Sequence, residues 1–162
     1  MNDMTALSGS VGALLKARGE TIAVAETSAG GLVSASLLAI PGASAFYVGG
    51  GVLYTLTARE TLLPPGGDAL DGVRSASTPY AQWLARTIAS HLGCTWGLAE
   101  TGAAGPTGNR YGDDAGHTCI AVAGPVECAL TLETGIDNRQ KNMWTFAGAA
   151  LTLLENAIKE SS

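Results

Sequence analysis

Charge is scarce in this sequence. Only 14% of its 162 residues are charged, and the nine lysines and arginines are scattered, with no cluster of three. A nucleic-acid surface needs a basic stripe to neutralise phosphates, so no nucleic-acid partner is expected. No block of like charge marks a disordered tail. No apolar run reaches the ~20 residues of a membrane span. The longest candidate, 23–38, is broken by Glu26, Thr27, Ser28, Gly30 and Gly31, so no membrane partner is expected either. The N-terminus, MNDMTALSGS, lacks a positive stretch followed by an apolar one, the mark of a signal peptide. Cysteine is limited to Cys94, Cys119 and Cys128. That odd number without a C-x-x-C pair reads as free, buried thiols in a reducing compartment. Together these absences make a cytoplasmic protein the expectation.

Apolar residues, at 46%, are plentiful. A chain of this length suits one domain spanning 1–162, with enough core to need no staples. Leu7, Val11, Leu14 and Leu15 keep the helical period over 3–18, and Gly19 ends the run. Residues 21–25 read as a buried strand, 28–40 as a helix stopped by Pro41, and 45–54 as a strand with a bulge or close approach at its three glycines. A short helix over 57–63 leads to a longer one over 78–92, with Pro79 in its first turn. Strands follow at 95–99, 117–123 and 129–133, with a polar loop over 102–116 and a final helix over 137–159. This order predicts an α/β fold: three layers, α/β/α, around a mixed, mostly parallel sheet.

One short pattern occurs twice. Ala25-Glu26-Thr27-Ser28-Ala29-Gly30-Gly31 is echoed by Ala99-Glu100-Thr101-Gly102-Ala103-Ala104-Gly105, each where an apolar strand ends. Two strand-to-turn junctions can converge on such residues by chance. Alternatively, the two loops meet where open α/β sheets bind ligands, beyond the carboxyl ends of the strands. Thr27 or Ser28 can cap the following helix, and Gly30 and Gly31 permit close approach. Free amides and the helix dipole favour an anion there. A hydroxyl at that point can be a nucleophile whose oxyanion the same amides stabilise. Plain capping and tight packing account for the same residues. In the second loop, Thr101, Gly102, Ala103 and Gly105 can form a backbone nest for phosphate, although no G-K-[ST] follows. Long irregular loops tend to be functional; an ordinary surface loop is the alternative.

Several motifs in register resemble the CinA C-terminal domain family. Its members carry E-S-C-T-G-G, then P-G-[AS]-S-A, V-x-Y-S-N-x-x-K, G-[IA]-A-G-P and G-T-V. Here stand Glu26-Thr27-Ser28-Ala29-Gly30-Gly31, Pro41-Gly42-Ala43-Ser44-Ala45, Val52-Leu53-Tyr54-Thr55-Leu56-Thr57-Ala58-Arg59, Gly102-Ala103-Ala104-Gly105-Pro106, and Gly116 before His117-Thr118. The resemblance implies an amidohydrolase that converts nicotinamide mononucleotide to nicotinate mononucleotide and ammonia, with a small nucleotide as partner. No cofactor or metal is implied. Family members commonly associate, which implies a homo-oligomer.

The family's serine nucleophile corresponds to Thr27 and its activating lysine to Arg59. Ser28 is the alternative nucleophile, Tyr54 a pocket residue, and Arg139 a phosphate contact. Glu26, Gly30, Gly31, Thr101, Gly102, Ala103 and Gly105 would surround the substrate. Arg59 departs from the family in a way that matters, because a guanidinium stays protonated and cannot accept the hydroxyl proton. Two readings follow. Either another base serves an amidase, with Glu26, Glu100 and His117 as candidates, or the site binds a pyridine nucleotide without cleaving it. A third, interaction-protein reading rests on the apolar face of the last helix.

Overall fold

The computed structural model describes residues 2–161. Gly19, with φ 63°, closes helix α1 (Asn2–Arg18) and turns the chain into strand β1 (Ile22–Glu26). Helix α2 (Leu32–Leu38), a 3-10 turn (Ala43–Ala45), strand β2 (Tyr47–Val52), helix α3 (Leu56–Leu62) and a second 3-10 turn (Gly67–Leu70) follow. Ser77 caps helix α4 (Thr78–Leu92) by accepting from the Tyr80 amide, and left-handed Gly93 ends it. Strands β3 (Trp96–Ala103), β4 (His117–Ala123) and β5 (Cys128–Glu133) lead to helix α5 (Arg139–Glu160), capped by Asn138.

The five strands lie in the order β2-β1-β3-β4-β5. β1 is parallel to both β2 and β3, whereas β4 is antiparallel to β3 and β5. Four strands therefore point one way and only β4 the other, which gives the expected mixed, mostly parallel sheet. Helices α1, α2 and α5 cover one face and α4 the other.

The two faces are paved differently. Ile22, Val24, Trp96, Leu98, Ile120 and Val122 meet Val11, Leu15, Phe146, Leu151 and Leu154 on the first face. On the second, Ala23, Ala25, Ala99, Ala121 and Ala123 meet Ala81, Leu84 and Ala85 of α4. A Cβ on Gly97 would stand 2.0 Å from the Ala85 carbonyl oxygen, so α4 rests almost directly on the backbone. β2 shows both features expected of its glycines. Its register against β1 jumps from Tyr47 to Gly49, leaving Val48 as a bulge. A Cβ on Gly50 would stand 2.1 Å from the Val24 carbonyl oxygen. β2 is also an edge strand, with Val48 and Val52 exposed.

Three expectations need correction. α2 begins at Leu32, not at 28, because Glu26 supplies its cap from the end of β1, as described below. β3 continues to Ala103 rather than ending at 99, because Gly102 and Ala103 pair with Thr118 and His117 of β4. Of the three free cysteines, only Cys119 is buried; Cys94 and Cys128 are half-buried. Among the described residues no helix is long and apolar enough to cross a membrane.

The close seat of α4 predicts that Gly97→Ala lowers stability by about 1–3 kcal/mol in urea denaturation, because the added methyl collides with backbone. Gly9→Ala, in α1 with nothing within 4 Å of the new Cβ, raises it by roughly 0.5–1 kcal/mol through helix propensity.

Candidate functional site

The repeated A-E-T pattern is repeated in space. β1 and β3 are parallel neighbours with Ala25 opposite Ala99, so Glu26 comes beside Glu100 and Thr27 beside Thr101. The chain leaves β1 through α2 to reach β2 on one side, and later passes α4 to reach β3 on the other. The crevice where such connections diverge is the usual ligand site of open α/β sheets.

Both glutamates point into the layer of α2 and α5, and both are fully engaged. Glu26 accepts from the amides of Gly31, Val33 and Ser34, at 3.2, 2.9 and 3.0 Å, and from the Ser34 hydroxyl at 2.8 Å. Its carboxylate occupies the anion position at the start of α2. That position was expected to be open to a ligand; the protein fills it itself. Glu100 accepts from the amides of Thr27 and Ala29, at 3.2 and 2.8 Å, and from the hydroxyls of Ser28 and Thr118. Burial pushes its carboxyl above the ordinary range, and these four donors pull the other way. Glu100 thus clamps the turn 27–29 against β4.

The clamp separates the two candidate nucleophiles. Ser28 is 4% exposed and its hydroxyl is spent on Glu100. Thr27 projects into a cleft of about 200 Å³, and its hydroxyl has no hydrogen-bond partner among the described residues. Thr101 and Gly102 share the floor, with the Thr101 hydroxyl accepting from the Ala76 amide at 3.1 Å. Residues 53–56, Tyr54 among them, form one wall. Ser75, Ala76 and Tyr80 form a second, and Asn109, Arg110 and Tyr111 a third.

The other expected site residues lie outside the cleft. Gly30 and Gly31, both at positive φ, pack against Met143 and Val52, so tight packing explains them. Gly105 fits against the Asp137 carbonyl. Ala103 belongs to the β3–β4 ladder. Arg139 donates to the carbonyl of Gly105 and, at 3.0 Å, to the Tyr54 hydroxyl, lacing together two loops at the mouth. Arg59 does not reach Thr27. Its guanidinium lies over the rings of Tyr80 and Trp83, at 5.8 and 5.9 Å, beside Glu60. Of the three candidate bases, none lines the cleft. Glu26 caps a helix, Glu100 clamps a turn, and His117 sits behind Ala76, its Nε2 2.8 Å from that carbonyl oxygen.

Sequence reasoning missed Ser75, Ala76, Tyr80, Asn109, Arg110 and Tyr111. The length of the 102–116 loop was the one signal for the last three. Among the described residues Arg110 is the only charged one lining the cleft, so an acidic chain, net charge −5, presents a locally cationic pocket suited to an anion.

An open mixed sheet covered by helices on both faces, with a side-chain-lined crevice beyond β1 and β3, defines a three-layer α/β protein. The chain belongs to the CinA C-terminal domain family, whose profile matches residues 4–158. It is 37% identical over 126 residues to a CinA-like protein of Synechococcus elongatus, covering 78% of this chain and 30% of that one. It is 39% identical over 115 residues to a CinA-like protein of Prochlorococcus marinus, covering 71% and 27%. The chain therefore spans less than a third of these curated relatives. Its fold matches a CinA superfamily protein of Klebsiella pneumoniae, with a TM-score of 0.89, 23% identity, and 97% and 98% of the two chains covered. It also matches a competence/damage inducible protein of Agrobacterium tumefaciens, with a TM-score of 0.88, 24% identity, and 97% and 96% covered.

The clamp predicts that Glu100→Gln, which places amide hydrogens against donors, costs about 1–3 kcal/mol in chemical denaturation. A change smaller than a few tenths would show that the turn holds itself.

Proposed function

We propose that the cleft binds a pyridine mononucleotide and that Thr27 attacks its carboxamide, giving nicotinate mononucleotide and ammonia from nicotinamide mononucleotide. The observation that carries this reading is the Thr27 hydroxyl: unpartnered and facing the cleft, on a turn held by a buried carboxylate. Arg110 supplies the cationic partner for a phosphate, and Tyr54, Tyr80 and Tyr111 supply faces for an aromatic ring. In the reaction Thr27 Oγ bonds to the carboxamide carbon and the C–N bond breaks. The hydroxyl proton leaves with the nitrogen as ammonia. Water then hydrolyses the ester, releasing the acid and restoring the hydroxyl.

A second reading, binding without cleavage, is favoured by one feature. Among the described residues no histidine, lysine, aspartate or glutamate lines the cleft, so no ordinary base is at hand there for the Thr27 proton.

Ammonia release from nicotinamide mononucleotide separates the two. The amidase reading expects turnover that falls roughly 1,000-fold or more in Thr27→Ala and survives in Thr27→Ser, which keeps the hydroxyl and removes the crowding methyl. The binding reading expects no ammonia in any variant, with the nucleotide still raising the melting temperature. Neither turnover nor a thermal shift with amidated pyridine nucleotides would overturn both.

A further inference from the structure

Two of the three cleft walls converge on one buried histidine. His117, the first residue of β4, is 5% exposed. Its Nε2 lies 2.8 Å from the Ala76 carbonyl oxygen and 3.5 Å from the Asp113 carboxylate, and its Nδ1 meets the Glu133 carboxylate. All three partners accept hydrogen bonds and none donates. A neutral imidazole carries one N–H and one lone pair. Protonated only at Nε2, it would turn a lone pair toward Glu133. Protonated only at Nδ1, it would turn one toward Ala76 and Asp113. The Cys119 thiol, 3.8 Å from Nε2, is at most a weak donor to it, so only the imidazolium donates to the carbonyl and to both carboxylates.

What it holds is part of the cleft. Ala76 is the one non-glycine residue at positive φ among the described residues, at 55°. An L-residue keeps such a conformation where its surroundings fix it. Here Thr101 receives its amide and His117 its carbonyl. Asp113 accepts a two-pronged contact from Arg74, at 2.7 and 3.1 Å, and a bond from the Asn109 side chain at 2.8 Å. Arg74 also donates to the Ser75 carbonyl at 3.1 Å and lies over the Tyr111 ring at 5.2 Å. Residues 74–77 and 109–113 are thus stitched together around His117 and Arg74.

We infer that His117, as an imidazolium, is a positioning residue that sets the cleft walls of Ser75–Ala76 and Asn109–Tyr111 for an anionic ligand and releases them on deprotonation. The groups facing it are Glu133 from β5, Asp113 from the long loop and the Cys119 thiol, 3.8 Å away on its own strand. Arg74 acts on it through Asp113. Burial lowers the pKa of His117, but Glu133, the Ala76 carbonyl and Asp113 together raise it above the ordinary value. A histidine raised on folding stabilises fully below its unfolded pKa of about 6.5 and loses that contribution as pH climbs through the folded value. The walls therefore loosen as pH rises through that raised value.

The inference rests on the cleft being the nucleotide site proposed above, and the test keeps the two apart. The chain has two histidines, so an NMR titration follows the His117 ring by the resonances that are lost in His117→Gln. His117 should titrate above the ordinary histidine value, with the amides of Ser75, Ala76, Asn109 and Tyr111 shifting at the His117 inflection. In His117→Gln those shifts should vanish, and in Asp113→Asn, where the imidazole persists, the inflection should move to lower pH. The KM for nicotinamide mononucleotide, or its Kd if there is no turnover, should rise about fivefold or more across that inflection with kcat unchanged, and follow it in Asp113→Asn. A His117 titration that leaves the wall amides still overturns the inference, as does a KM or Kd inflection that stays put in Asp113→Asn. If the nucleotide neither binds nor reacts, the proposed function fails while the amide shifts still decide the role of His117.

Discussion

Helix α4 lies against the sheet with little more than methyl groups between them. Ala23, Ala25, Gly97 and Ala99 present no larger side chain, and Ala81 and Ala85 answer in kind. This fixes the height of the helix above β1 and β3. Its first turn and the residues leading into it then come level with the ends of those strands, where Thr27 and Thr101 emerge. On the other face, Trp96, Leu98, Ile120 and Phe146 hold the helices farther out. The cleft opens on the thin side, and the buried carboxylates lie on the thick side.

That division gives one local pattern two functions. In each A-E-T segment the glutamate turns to the thick layer and the threonine to the cleft. Neither glutamate lines the cleft. Each takes amide donors that would otherwise be orphaned at a strand-to-helix junction. Their value to the site is indirect, since a turn held by Glu100 through two amides and the Ser28 hydroxyl presents Thr27 in one position. The same saturation removes both from consideration as bases.

Much of the fold was legible because its signals are local. α4 was read over its observed span, 78–92, with Pro79 in its first turn, and β4 over 117–123. The start of α2 was not legible, because its cap comes from Glu26 across a turn of small residues rather than from an adjacent serine or threonine. The extension of β3 was hidden in Gly102 and Ala103, which have little strand preference and are ordered by their partners on β4. The echo did reflect two segments that meet at the ends of neighbouring parallel strands. It could not choose between Thr27 and Ser28, because that choice depends on which hydroxyl Glu100 takes. His117, read as a candidate base, showed its surroundings only when β5, the long loop and the approach to α4 came together around it.

The bulge at Val48 bears on how the molecule keeps to itself. β2 carries no charge and three consecutive glycines, and its outer margin lies at the rim of the sheet. Proteins commonly guard such margins with lysine, proline or a covering helix. Here the extra residue is the irregularity that interrupts an otherwise even row of peptide groups. Chain crowding during synthesis or concentration would act on this margin first, which makes one unpaired valine a safeguard against aggregation.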